Sequence, residues 1–272
     1  MNLICYLTNG NPSIEGTIEM AKTYVASGCD IIEVDLPAQD PYLESEYIAG
    51  LMASALSRCD DYDCYLAEMQ QIKKDNPNTK FIIVVYESTI LEIGCEKFIE
   101  FCLKNQYLDL ILVGLKDDAT KDRLISAGLR VSCYVQFDMR PDEIAHAKQS
   151  NGFVYMQGKP TTGNINPNYP TLKDCITSLR KEHGITAPIY CGVGIHSPQD
   201  ARMAKEAGAD GVFVGSAILK LYGDKGTCRK DSRIQGGMLK KRKGEGYAAV
   251  QSTQCLYVYP GREGCGAFRA FL

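Results

Sequence analysis

The segment 192-GVGIHSPQDARMAKEAGADGVFVGSAI-218 holds the end of one strand, a whole helix and the strand after it. The apolar run 188-PIYCGV-193 ends in Gly-Val-Gly and passes into a helix that Ser197 is placed to cap. Pro198 fits its first turn, where no N–H is needed, and Asp200 favours its positive end. Gly208 closes this helix, and 211-GVFV-214 is short, β-branched and flanked by glycine, like a parallel strand buried on both faces. Gly215 and Ser216 then open another helical run. Two consecutive strand ends thus bring small residues with free N–H groups to helix N-termini, an arrangement that binds phosphate.

The same alternation extends outward over most of the chain. Strands are expected at 3–8, 30–36, 80–86, 108–114, 130–136, 152–157, 188–193 and 211–215, with helical stretches such as 13–28, 95–105, 117–128 and 197–208 between them. Three helices end alike, in Ser-Gly-Cys-Asp, Ser-Ala-Gly-Leu-Arg and Glu-Ala-Gly-Ala-Asp, each with a glycine where a left-handed cap turns the chain into a strand. Eight strands at βα spacing indicate a single α/β domain, a (β/α)8 TIM barrel; an open doubly wound sheet seldom needs so many regular units. In such a barrel chemistry sits at the C-terminal strand ends and phosphate commonly binds after strands seven and eight, which is where GVG and GSAI fall.

With 272 residues, 45% of them hydrophobic, the chain is long enough for one sizeable core. No apolar run approaches the ~18 residues of a membrane span, and the N-terminus reads as a strand rather than a signal peptide. The twelve cysteines are scattered and form no C-x-x-C, so they are expected to be reduced thiols of a cytoplasmic protein and not a metal site. Of the three histidines, His146 and His183 lie on polar helical stretches and are expected to be solvated. Residues 224–272 hold ten Lys/Arg against four Asp/Glu, a net of +6, which leaves −9 on residues 1–223 and argues against nucleic acid as the main partner.

The strand 30-DIIEVDL-36 carries the sharpest chemical signal. Alternation puts Glu33 and Asp35 on one face, opposite Ile32, Val34 and Leu36. Both faces of a barrel strand are buried, so a carboxylate there needs a function or a cation across the barrel. Near the strand's C-terminal end, Glu33 is the leading catalytic candidate, with burial raising its pKa toward the range useful for acid and base catalysis.

These residues resemble the alpha subunit family of tryptophan synthase over nearly all of 3–223. The stretch 6-YLTNGNP-12 is similar to the family's aromatic-x-Thr-x-Gly-Asp-Pro, and 28-GCDIIEVDLPAQDP-41 to its Gly-Ala-Asp-x-x-Glu-x-Gly-x-Pro-Phe-Ser-Asp-Pro. The segment 161-TTG-163 resembles Val-Thr-Gly, 192-GVGI-195 resembles Gly-Phe-Gly-Ile, and 210-DGVFVGSAI-218 resembles Asp-Gly-Val-Val-Val-Gly-Ser-Ala-Ile. The resemblance implies a lyase of tryptophan biosynthesis that cleaves indole-3-glycerol phosphate to indole and glyceraldehyde 3-phosphate without metal or organic cofactor. It implies Glu33 as acid and base, and Glu44 as the second carboxylate, which steers the indole N–H. It also implies Tyr6 and Tyr155 beside the substrate, and Gly163, Val193, Gly194, Gly215 and Ser216 around the phosphate. A beta subunit is the implied partner. Departures fall at Asn11, Glu44, Ser45 and 114-GLKD-117, where Leu115 replaces an aspartate; the second and fourth loops are those that meet the beta subunit in the family.

Two other readings fit the glycine loops: another barrel enzyme acting on a small phosphorylated metabolite, and a barrel that binds a metabolite or partner without catalysis. Residues 1–223 are expected to form the barrel, with its eighth helix truncated or replaced. The Gly-rich basic tail, 224–272, has no helical apolar stripe and is expected to be disordered. Read from the second base of the Lys225 codon, permitted codons encode an amphipathic helical segment and a stop, so a one-base insertion is the favoured origin of the tail, which the nucleotide sequence tests.

Overall fold

The structure is a computed structural model and describes residues 1–160 and 165–220. Its first half runs β1 (Asn2–Leu7), α1 (Ile14–Ala26), β2 (Ile31–Asp35), α2 (Glu46–Leu56), α3 (Tyr62–Asp75), β3 (Lys80–Tyr86), α4 (Glu87–Ile93), α5 (Cys95–Asn105) and β4 (Asp109–Val113). It continues with α6 (Ala119–Ser126), β5 (Arg130–Val131), β6 (Cys133–Val135), α7 (Pro141–Gln149), β7 (Val154–Gln157), α8 (Leu172–Lys181), β8 (Ile189–Gly192), α9 (Pro198–Ala207) and β9 (Gly211–Val214). A helical turn at 216–220 follows β9. Gly163 and the 224–272 tail lie outside the described residues.

Every strand pairing is parallel, in the order β5-β4-β3-β2-β1-β9-β8-β7-β6. The two ends of this order are one stretch of chain, the strand expected at 130–136. The Ser132 amide donates to Leu110 of β4 at 2.9 Å, and the next amide, Cys133, donates to Phe153 before β7 at 3.2 Å. One strand thus bonds both neighbours and closes the barrel, so the nine pieces are eight barrel strands. Closure leaves no free sheet edge among the described strands.

The glycine caps act as the sequence suggests. Gly28, Gly128 and Gly208 have φ of 92°, 98° and 96°, a region that costs other residues about 1–2 kcal/mol. Two positions beyond each glycine, a charged side chain ties the entering strand to the one before it. Asp30 accepts from the Leu3 amide at 2.8 Å, Asp210 accepts from the Ile189 amide at 2.8 Å, and Arg130 makes a two-pronged pair with Asp109 at 2.7 and 2.6 Å. These ties fix strand register at the base of the barrel.

Inside the barrel, Ile4, Ile31, Ile82, Phe153, Tyr190 and Phe213 form a buried cluster below Glu33. A larger apolar layer lies between strands and helices. Helix α8 buries Leu172, Cys175, Ile176 and Leu179 on one face, and α9 buries Ala201, Ala204 and Ala207, the spacing of a helical stripe. Ser197 caps α9 by accepting from Asp200 N–H at 3.2 Å, and Thr171 and Asp174 form a capping box on α8.

Candidate active site

The C-terminal strand ends place Glu33 and Asp35 of β2 beside Tyr6 of β1, with Tyr6 and Glu33 as direct cross-strand partners. Glu33 is 7% exposed and Asp35 is fully buried. No cation meets Glu33 across the barrel: among the described residues its carboxyl makes no hydrogen bond or ion pair. Burial, reinforced by the nearby Glu44 and Asp35 charges, pushes the Glu33 pKa well above its ordinary value.

Asp35 is held differently. Its Oδ2 accepts from the Tyr6 hydroxyl and its Oδ1 from the Asn9 amide, each at 2.7 Å. Burial raises its pKa to about 7, against the opposing effect of these two donors. Glu44 sits in the loop between β2 and α2, where its amide donates to Pro41 at 2.9 Å, and burial raises its pKa too. The loop is pinned by Tyr86, whose hydroxyl accepts from Leu43 N–H at 3.0 Å and whose ring meets Tyr42 edge-on. Ser45 has a local purpose: it caps α2 by accepting from the Ile48 amide at 3.3 Å.

Tyr155 stands on the opposite side of the mouth, its ring stacked on Phe213 with centroids 4.5 Å apart. Gly192 has to be glycine, because a β-carbon there would lie 1.9 Å from the Tyr155 hydroxyl oxygen. Val193 then takes φ 52°, strained for a β-branched residue, and Gly194 takes φ 96°. The Lys159 stem lies along Gly194, 2.8 Å from where its β-carbon would be, and its ammonium pairs with Asp200 at 2.5 Å. At Gly215 an added β-carbon would make an ordinary van der Waals contact with Tyr6 Cβ, at 3.9 Å. The Gly215 carbonyl accepts from Ile218 N–H at 3.0 Å, so Ser216 opens the last described helical turn. Tyr6, Glu33, Glu44, Tyr155, Val193, Gly194, Gly215 and Ser216 therefore all lie at the same end of the barrel.

A cavity of about 580 Å³ opens at the other end, lined by Arg130, Asp109, Lys73, Asn151 and Tyr190 among others. Its polar groups are largely bonded to each other: Arg130 to Asp109, Asn151 to the Val131 amide and the Leu129 carbonyl, Lys73 to the Thr79 carbonyl. It belongs to the register ties at the base and lacks the unpaired groups of the mouth. Among the described residues no group of histidine, cysteine and carboxylate side chains could hold a metal ion, and the nine cysteines are free thiols.

Sequence reading placed Asp35 beside Glu33 but gave it no role. Its signal was the same alternation that singled out Glu33; its donors are 29 and 26 residues away. Glu68 on α3 was missed altogether. It is buried, and burial raises its pKa to about 8 despite opposing contacts with Thr17 and the Gly10 amide.

The sequence pattern of the tryptophan synthase alpha chain family matches residues 1–243. The tryptophan synthase alpha chain of Rippkaea orientalis is 30% identical over 225 residues, covering 80% of this chain and 82% of that one. Among solved structures, tryptophan synthase subunit alpha from Legionella pneumophila superposes with a TM-score of 0.69 at 26% identity, covering 85% of each chain. Tryptophan synthase from Mycobacterium tuberculosis gives 0.69 at 26%, covering 82% of this chain and 86% of that one.

Proposed function

The chain belongs to the tryptophan synthase alpha chain family, and from that premise we propose how its barrel mouth performs the family's reaction. The protein is a lyase of tryptophan biosynthesis, and its reaction is the retro-aldol cleavage of indole-3-glycerol phosphate. The observation that carries the residue assignment is Glu33, a buried carboxyl without a cation, above an apolar floor and on the same barrel end as the glycine loops.

In this reading the amides of Gly194, Gly215 and Ser216 hold the phosphate, with Val193 shaping the loop after β8; Gly163, which the resemblance adds, lies outside the described residues. The indole ring lies between Tyr155 and the Tyr6 side of the mouth, and Glu44 accepts from its N–H. Glu33 delivers a proton to the ring carbon bearing the glycerol phosphate chain. The bond from that carbon to the chain breaks with its electrons restoring the indole ring, and the hydroxyl on the departing carbon passes its proton to the Glu33 carboxylate left by the first transfer, giving the aldehyde of glyceraldehyde 3-phosphate. Proton transfer and bond cleavage of this kind need no metal or organic cofactor.

The reading includes a beta subunit as partner. Tyr42 and Leu43 stand 63% and 65% exposed on the second loop, and the Tyr42 hydroxyl packs against Gly114 of the fourth loop, joining the two into one apolar rim suited to a protein partner. It also places the protein in the cytoplasm, where the free thiols stay reduced; no described helix is long and apolar enough to cross a membrane. The test is release of indole from indole-3-glycerol phosphate by the purified full chain, with and without a beta subunit. Indole release supports the reading, whereas absence of indole under both conditions, with inorganic phosphate still bound, assigns the site to another phosphorylated substrate.

A further inference from the structure

Glu33 and Asp35 lie two residues apart on one strand, both facing the barrel interior, so their α-carbons are separated by roughly 7 Å. Their surroundings differ. Both Asp35 oxygens receive a donor, the Tyr6 hydroxyl on one and the Asn9 amide on the other, each at 2.7 Å. Glu33 receives none among the described residues. A buried carboxylate with bonded oxygens holds its charge more readily than one without, so two neighbouring carboxyls in unequal settings divide into an anion and an acid.

Building on the assignment of Glu33 as the acid, we propose that Asp35 is a positioning residue: clamped by Tyr6 and Asn9, it holds the negative charge of the pair and keeps the proton on Glu33. The family's second-strand motif has glycine at this position, so the device belongs to this chain. Cleavage needs a proton delivered to the ring carbon, and a fixed anion beside Glu33 extends the range of pH in which that proton is present. Tyr6 then acts through Asp35 as well as bordering the substrate.

The other groups that face the pair oppose a second negative charge. Glu44 acts on both carboxyls from the β2–α2 loop, and Glu68 faces Asp35 from α3. Tyr155 of β7 and Tyr6 of β1 face Glu33, and the pKa of each is raised well above its ordinary value. No lysine, arginine or histidine acts on either carboxyl among the described residues.

The experiment is carbon-13 NMR of the side-chain carboxyls in the full-length protein labelled at Asp and Glu, with the Glu33 signal assigned by its loss in Glu33→Gln. In Asp35→Asn, Glu33 should titrate about one to two pH units lower than in wild type, the effect of removing a like charge at this separation in an effective dielectric of about 20. The upper limb of the kcat profile should move down with it, while KM changes little. Tyr6→Phe, which keeps the ring but removes one donor, should raise the Asp35 titration. Unchanged Glu33 titration in Asp35→Asn overturns the proposal, and so does unchanged Asp35 titration in Tyr6→Phe if Asp35→Asn does not fold. Displaced titrations in a protein that cleaves no indole-3-glycerol phosphate would instead sink the functional reading and leave the carboxyl pair standing.

Discussion

The two ends of this barrel treat their acids in opposite ways. At the base, Asp30, Asp109 and Asp210 each bond a strand amide or an arginine, and Arg180 both pairs with Asp210 and donates to the Ile185 and Ala187 carbonyls. At the mouth, Glu33, Asp35 and Glu44 are buried or partly buried, each with a raised pKa and no cation among the described residues. Paired, half-exposed charges fix register at little electrostatic cost. Unpaired buried carboxyls work against folding and are retained where proton chemistry is done. The contrast teaches that in this chain acid content alone does not distinguish the two ends; burial without a cation does.

The largest effect that could break this contrast is at Glu33. Glu33→Gln should lower indole release about 10²–10⁴-fold without loss of thermal stability, measured by cleavage assay and by melting. Wild-type turnover in that variant removes Glu33 from the mechanism. Glu44 comes next: Glu44→Ala should cost about 10²-fold or more in kcat/KM, whereas Glu44→Asp should stay active, since a carboxylate remains for the indole N–H. Equal loss in both would mean that the loop cannot accommodate the shorter side chain.

Stability effects are smaller and should differ in sign between the two ends. The Asp35 pKa is about 7 in the folded protein against an ordinary 3.8. The folded state therefore binds more protons between those values, and this contribution to stability is present at low pH and lost as pH rises from about 4 to 7. Asp35→Asn should flatten that slope and gain about 1–2 kcal/mol at pH 8 in denaturant titrations. At the base, Arg130→Ala should cost about 1 kcal/mol, because the pair with Asp109 is two-pronged but partly exposed. A loss at both positions would erase the distinction between the ends. The smallest effect belongs to Val193→Gly, which relieves φ 52° and should add about 0.5–1 kcal/mol. Phosphate affinity, read by calorimetry, should hold, since the backbone amide remains.

Much of this was legible in the residues. Alternation at period two put Glu33 and Asp35 on one shared face, and Ser197, Pro198 and Gly208 bounded α9 within a residue. The strand at 130–136 was legible as one unit but not as the seam of the barrel, because its split at Ser132 follows from sharing two neighbours and leaves no local mark. Glu33 and the glycine loops were read as candidates from their strand-end positions, and Glu44, Tyr6 and Tyr155 from the family resemblance. Lys159 against Gly194 and the donors on Asp35 were not, since each joins loops far apart in the chain.

The sequence by itself determined the alternation of strands and helices, the glycine turns between them, and two carboxylates sharing one face of the second strand. These depend on side-chain periodicity and on backbone angles that a few adjacent residues impose. Only the tertiary structure decided which carboxyl of the second strand receives donors and which is left with none. That outcome depends on the Tyr6 hydroxyl and Asn9 amide arriving from β1 and its loop, and in a buried site the position of two donors sets where a proton resides.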